Sequence, residues 1–93
     1  MSYTATVNSL GEAAVIMPAS DLCHRDLGRR IETTEPYPGG VFQASGVVEW
    51  LNLEEGCVDA GLSDFRSNDD SNQSVLLLNP DHNVAVTVES VTA

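Results

Sequence analysis

Apolar and polar residues along this chain alternate over short stretches with the two-residue period of a β-strand. In YTATV, residues 3–7, one aromatic and two small apolar residues alternate with two threonines, which predicts a half-buried strand. EAAVIM at 12–17, which ends before Pro18, and RRIETT at 29–34 are predicted to be the next two strands. The first third of the chain is therefore predicted to be mainly β.

The strongest strand signal lies in the middle of the chain. VFQASGVVEWLNL at 41–53 is rich in β-branched and aromatic residues, and Gly46 within it predicts a bulge or bend. Turn sequences flank this strand, EPYPGG at 35–40 before it and EEG at 54–56 after it. CVDAGL at 57–62 is predicted to return as a further strand.

The last third of the chain predicts a loop and then a hairpin. SDFRSNDDSNQS at 63–74 is polar and is predicted to be a surface loop. SVLLL at 74–78 and VAVTVESV at 84–91 flank NPDHN at 79–83, in which Pro80 suits a type I turn that joins two antiparallel strands. Because VLLL does not alternate, we expect both faces of its strand to be covered, by the fold or by a neighbouring subunit.

A helical turn is predicted in only one short segment of the sequence. Ser20 or Asp21 can cap a helical turn near residues 20–28, which Gly28 then ends. Short strands separated by turn sequences, with so little helix, predict a mainly β fold, an antiparallel β-sandwich or small barrel. A chain of 93 residues has room for one domain, so residues 1–93 are predicted to form a single β-rich domain.

Net charge restricts the possible partners. Fourteen acidic residues stand against four arginines and no lysine, which gives a formal charge of −10. Adaptation to very high salt and a specific cationic partner both explain this bias, and the spread of acidic residues from Glu12 to Glu89 favours the first. The same charge argues against binding to nucleic acid or to an anionic membrane.

Targeting and membrane signals are also missing from the sequence pattern. MSYTATVNSL at the start has neither a basic nor an apolar region, so no signal peptide is expected. The longest apolar run is far shorter than a membrane span. The expected location is a virion or the cytoplasm of a halophilic host.

No pattern of residues predicts catalysis or a bound cofactor. The chain contains four residues of types that bind zinc, Cys23, His24, Cys57 and His82. In structural zinc sites two ligands are separated by about two to five residues in one turn, and no two of these four have that spacing. NDDSN at 68–72 begins like a calcium-binding loop and then lacks the glycine and glutamate that such a loop needs. We therefore expect no enzyme activity, no metal and no cofactor, and the sequence leaves open whether the two cysteines are bonded.

Candidate contact residues come from the basic and the apolar parts of the sequence. The stretch DLCHRDLGRR at 21–30 contains three of the four arginines, which are predicted to pair with acidic loops of this chain or of an acidic neighbour. Tyr37, between two prolines, is expected to be exposed, whereas Phe42 and Trp50 are expected in the core. The predicted partner-binding residues are Arg25, Arg29, Arg30, Tyr37, Leu76 and Leu78.

Two functions follow from these features. The first is a non-enzymatic structural protein of a larger assembly, such as a decoration, cement or connector component of the capsid of a virus that infects a halophile. The alternative is a small cytoplasmic β-barrel that acts as a binding or regulatory module of a halophile. The expected partners are other protein subunits, either acidic neighbours or copies of this chain.

Overall fold

One antiparallel sheet contains most of the chain, which confirms the predicted mainly β class. The computed structural model describes residues 3–68 and 74–89, apart from the side chain of Tyr37. Within the described residues the strands are β1 (Thr4–Val7), β2 (Ala13–Pro18), β3 (Arg30–Tyr37), β4 (Gly40–Glu54), β5 (Cys57–Ser67), β6 (Val75–Leu78) and β7 (Asn83–Thr87). Their order in the sheet is β1-β2-β7-β3-β4-β5-β6.

The sheet curves around a single core. Apolar side chains from β2 through β7 contact one another in one cluster, although β4 and β5 separate β3 from β6 in the sheet. A flat sheet cannot bring such distant strands into contact, so the two ends of this sheet approach each other across the core. The largest fully buried apolar side chains are Leu22, Ile31, Val48, Val84 and Val86.

Two irregularities in β4 decide which of its side chains face the core. The pairing of β4 with β5 shifts at Gly46, as predicted, and shifts again between Val48 and Trp50. At Gly46 a Cβ atom would lie 2.8 Å from the Cβ of Leu62, so this close approach of β4 to β5 requires glycine. The second shift leaves Val48 in the core and Trp50 outside it, which shows that the predicted core position of Trp50 is wrong. Phe42 is half-buried against the core, as expected.

The described part of the predicted hairpin at 74–91, which is residues 74–89, does not pair as a hairpin. The turn itself is present, since the Asn79 carbonyl accepts a hydrogen bond from the His82 N–H at 2.9 Å. However, β6 pairs with β5, whereas β7 pairs with β2 and β3. The turn is bound instead to the segment after β2, where the Ala19 N–H donates to the His82 carbonyl at 2.8 Å. Turn residues specify a bend, but the strands on either side of it take their partners from the rest of the core.

Two further segments differ in extent from their predictions. The predicted helical turn near residues 20–28 is two short 3₁₀ turns, Ala19–Asp21 and His24–Asp26. The buried Asp26 carboxylate stabilises the second by accepting the Cys23 N–H at 2.9 Å. The predicted loop at 63–74 begins later than expected because β5 continues to Ser67, and residues 69–73 of that loop lie outside the described part.

Candidate docking surface

Arg30 is buried in an ion-pair network within this chain. Its Nε donates to Glu12 Oε1 at 3.0 Å and its Nη1 donates to Asp64 Oδ2 at 3.3 Å, and Arg66 contacts the same Asp64 oxygen at 3.3 Å. We call these four residues the Arg30 network. It links β3 to β5 and to the residue that precedes β2. Arg30 therefore contributes to the chain's own fold, which is one of the two alternatives that the sequence left open, and its contact with a partner stays a prediction.

The two guanidinium groups also change the titration of Asp64. The hydrogen bond from Arg66, supported by that from Arg30, holds the pKa of Asp64 below its ordinary value, although partial burial opposes the shift. Asp64 has a φ of 51°, in the left-handed region that aspartate tolerates better than most residues. The network thus stabilises a charged carboxylate at the residue of β5 that has a positive φ.

The remaining predicted arginines differ in exposure. Arg29 is half-buried, and its Nη1 lies 3.5 Å from Oδ1 of the buried Asp26. Arg25 is exposed and forms no ion pair with any residue that the structure describes. Partner binding by Arg25 and Arg29 stays a prediction. The side chain of Tyr37 lies outside the described part of the chain, so its predicted role as a contact also stays untested.

The leucines of β6 are arranged differently from the prediction. Leu76 and Leu78 are each only 6% exposed and belong to the core, whereas Leu77 between them is 73% exposed. The strand therefore alternates in the ordinary way, with one face on the core and one face outward. Leu76 and Leu78 are not available to a partner, which corrects their assignment, and sequence reasoning missed Leu77.

Leu77 belongs to an apolar surface on the outer face of β4, β5 and β6. Gly61 of β5 lies opposite Trp50 on one side and opposite Val75 on the other, and Leu77 occupies the next outward position of β6. A Cβ atom at Gly61 would lie 2.0 Å from Nε1 of Trp50, so the indole ring rests directly on the glycine backbone. Trp50 is nevertheless 48% exposed. We call Trp50, Val75 and Leu77 the outer apolar patch.

Polar residues border one side of the outer apolar patch. Asn52 Nδ2 donates to Glu54 Oε1 at 3.0 Å and to Asp59 Oδ2 at 3.4 Å, and the Cys57 thiol donates to Asp59 Oδ1 at 3.1 Å. This last hydrogen bond, with some burial and the nearby negative charge, raises the pKa of Cys57, so its thiol stays protonated and weakly nucleophilic. An apolar centre with a hydrogen-bonded polar border is the usual arrangement of a protein–protein contact surface.

A separate pocket is formed by β3, β4 and β5 together with the turn after β1. Its volume is about 220 Å³, and Leu10 and Ala44 line it together with Glu32, Gln43 and Arg66. The Glu32 carboxylate accepts hydrogen bonds from the hydroxyl of Ser9 and from its N–H at 3.2 Å. The pocket offers a carboxylate and a guanidinium to a small polar molecule.

The remaining candidate chemistry is sparse in the described residues. They contain no group of three or more Cys, His, Asp or Glu side chains placed to hold a metal ion. Cys23 and Cys57 are free thiols. None of the described helical segments has the length and hydropathy needed to cross a bilayer.

Comparisons with known proteins give no match among protein-family models, curated proteins or solved structures.

Proposed function

We propose that this chain is a non-enzymatic structural subunit that works inside a larger protein assembly and docks through the outer apolar patch. The observation that carries the proposal is the exposure of Trp50 and Leu77 on the same outer face of a chain with a net charge of −10. Covering apolar surface contributes about 25 cal/mol for each Å² removed from water. A tryptophan at the centre of such a surface is a typical contact anchor.

The setting that we propose is a capsid-associated particle, with the chain as a decoration, cement or connector component in a halophilic host. The acidic composition supports high salt, because dissolved ions screen the repulsion between chains that each carry ten excess negative charges. The apolar contact supports it as well, because hydrophobic association does not weaken when salt screens ion pairs. Such a subunit would join an assembly without any ion pair at the contact.

Sedimentation of the native source material in multimolar salt tests this proposal. We expect the chain to move with a fast-sedimenting particle in a fixed ratio to the other particle proteins. A Leu77→Asp variant should instead remain at the top of the gradient, because the new carboxylate would be buried without a partner in the contact.

Val7→Asp is the matched control variant. Val7 lies on the edge strand β1 and is 64% exposed, but it is not part of the outer apolar patch. This variant should still sediment with the particle. A wild-type chain that sediments alone, at the 9.9 kDa of one copy, would contradict the proposal.

A small binding or regulatory module is the second candidate, and the pocket at Glu32 and Arg66 favours it. In that case the wild-type chain would sediment alone, and a polar small molecule would bind in the pocket. Glu32→Gln would then weaken this binding, because it removes the negative charge of the pocket while keeping its shape.

A further inference from the structure

Two opposite charges lie in one row across the sheet, on the face that points away from the core. Glu32 of β3 lies opposite Ser45 of β4, and Ser45 lies opposite Arg66 of β5. Side chains of directly opposite residues share a face, and this face points outward because Ala44, next to Ser45, belongs to the core. β3 and β5 are two strand spacings apart, about 10 Å. The register therefore places the small Ser45 between a carboxylate and a guanidinium.

The turn after β1 is bound against this row and forms a wall of the pocket. The N–H of Ser9 donates to the Glu32 carboxylate at 3.2 Å, and the Ser9 hydroxyl donates to the same carboxylate. At the end of the turn, Glu12 accepts a hydrogen bond from Arg30 Nε at 3.0 Å. Leu10 lies between these two attachments, lines the pocket and is 43% exposed. The pocket thus has an apolar wall beside its two charged groups.

Glu32 and Arg66 do not neutralise each other. Among the ion pairs that the described residues form, none joins these two side chains. Glu32 is held by Ser9 instead, and Arg66 contacts the Asp64 carboxylate through Nη2. A carboxylate accepts several hydrogen bonds and a guanidinium donates several, so each group can bind a further charge. The pocket therefore presents a negative and a positive group to the same ligand.

The size and the lining of the pocket restrict the ligand. Its volume of about 220 Å³ is below the range of about 300–1,000 Å³ that is typical of sites for drug-sized ligands. The exposed side of Leu10 offers contact to an apolar group of the ligand. An α-amino acid with a short aliphatic side chain combines an ammonium group, a carboxylate and an apolar group in one small molecule.

We propose that this pocket binds the zwitterion of a small aliphatic α-amino acid, with its ammonium group at Glu32 and its carboxylate at Arg66. Hydrogen bonds between charged groups are stronger than neutral ones, and the planar guanidinium suits a carboxylate. A zwitterion has no net charge, so a chain with a net charge of −10 does not repel it as it repels a simple anion.

This inference goes beyond the proposed docking function and does not depend on it. The outer apolar patch contributes no residue to the lining of the pocket. The inference names the ligand class that the pocket would take in the second candidate function as well. Sedimentation distinguishes the two proposed functions, whereas ligand binding to the purified chain tests the pocket.

Titration of the purified wild-type chain with L-valine, followed through its amide signals by NMR spectroscopy, tests the proposal. The amide signals of Ser9 and Ser45 should shift and saturate, whereas that of Leu77 in the outer apolar patch should not move. Isobutylamine lacks the carboxylate of valine, and 3-methylbutanoate lacks its ammonium group. We expect each of these two probes to bind with a dissociation constant about tenfold higher than that of valine, or higher still.

Two substitutions remove one charge each from the pocket. Glu32→Gln and Arg66→Gln should each raise the dissociation constant of valine about tenfold or more. Glu32→Gln should also weaken the binding of isobutylamine and leave that of 3-methylbutanoate nearly unchanged, and Arg66→Gln should do the reverse. Partial unfolding of a variant would not produce this crossed pattern. Glu35→Gln and Arg25→Gln are the matched controls, since both residues are exposed and lie outside the pocket, and should leave valine binding unchanged.

Three results would overturn the proposal. The first is the absence of a saturable shift with valine. The second is binding of isobutylamine or 3-methylbutanoate as tight as that of valine, which would make the pocket a site for a single charge. The third is an equal loss of valine binding in the control variants. Failure of the chain to sediment with a particle would refute the docking function and leave the amino acid site intact.

Discussion

The Arg30 network and the outer apolar patch use charged and apolar residues in opposite ways. The network contains two of the four arginines and pairs them with two carboxylates of the same chain. The outer apolar patch leaves the only tryptophan and Leu77 exposed on a surface where the described residues form no ion pair. In these two regions the charged side chains contribute to the fold, whereas the apolar side chains are exposed for contact.

The largest effect on folding should come from the centre of the network. Arg30→Met keeps much of the side-chain volume but removes both ion pairs, and we expect the free energy of unfolding to fall by about 2 kcal/mol. The loss is smaller than for a fully buried pair because water still reaches Glu12 and Asp64. Urea unfolding, followed by circular dichroism, measures this change in the free energy of unfolding.

Arg25→Met is the matched control for this substitution. Arg25 is exposed and has no ion pair among the described residues, so its replacement should change the free energy of unfolding by less than about 0.5 kcal/mol. Equal effects of the two substitutions would show that the Arg30 network does not stabilise the fold.

Gly61→Ala tests the patch with a smaller effect on stability. The new Cβ would overlap the indole ring of Trp50, so the ring must leave the surface of β5. We expect a change in the tryptophan emission spectrum and weaker association, with a loss of about 1 kcal/mol in the free energy of unfolding. Trp50 is the only tryptophan in the chain, so the fluorescence reports this site alone.

A double-mutant cycle separates overlap from a general effect of alanine on the strand. In a Trp50→Ala background, Gly61→Ala meets no ring and should leave the free energy of unfolding nearly unchanged. If the alanine costs the same in both backgrounds, the indole ring does not rest on Gly61 in solution.

Sequence reasoning located the strands better than it located the contact surface. The bulge at Gly46 and the strand from 41 to 53 were predictable because a glycine inside a β-branched run has few other roles. The outward position of Trp50 was not, because it depends on a second shift in the pairing with β5 that no residue type signals. The exposure of residues 74–78 was not predictable for a related reason. When every residue of a strand is apolar, the sequence does not show which face of the strand is buried until the partner strand is known.

The arginines illustrate the same limit for charges. The sequence showed that they were scarce and would pair with carboxylates, and it left open whether those carboxylates belonged to this chain. Glu12 and Asp64 are 18 and 34 residues away from Arg30, so only the folded sheet brings the three together. No signal in the sequence singled out Leu77, because VLLL places an apolar residue on either face of its strand.

The smallest predicted effect is a pH dependence, and it tests the outer part of the network. The pKa of Asp64 is lower in the folded chain than the value of about 3.9 expected when unfolded. Its contribution to stability is therefore complete above that value and is lost as the pH falls through the folded pKa.

Asp64→Asn keeps a side chain that tolerates positive φ but cannot be charged. We expect the wild-type chain to be more stable than this variant at pH 6, and the difference to shrink steadily below about pH 4. Arg66→Gln, which removes the strongest cause of the shift, should reduce the same pH dependence. A difference between wild type and Asp64→Asn that is constant from pH 6 to pH 3 would mean that the charge of Asp64 adds nothing to the fold, and that the contrast between the two surfaces rests on Arg30 and Glu12 alone.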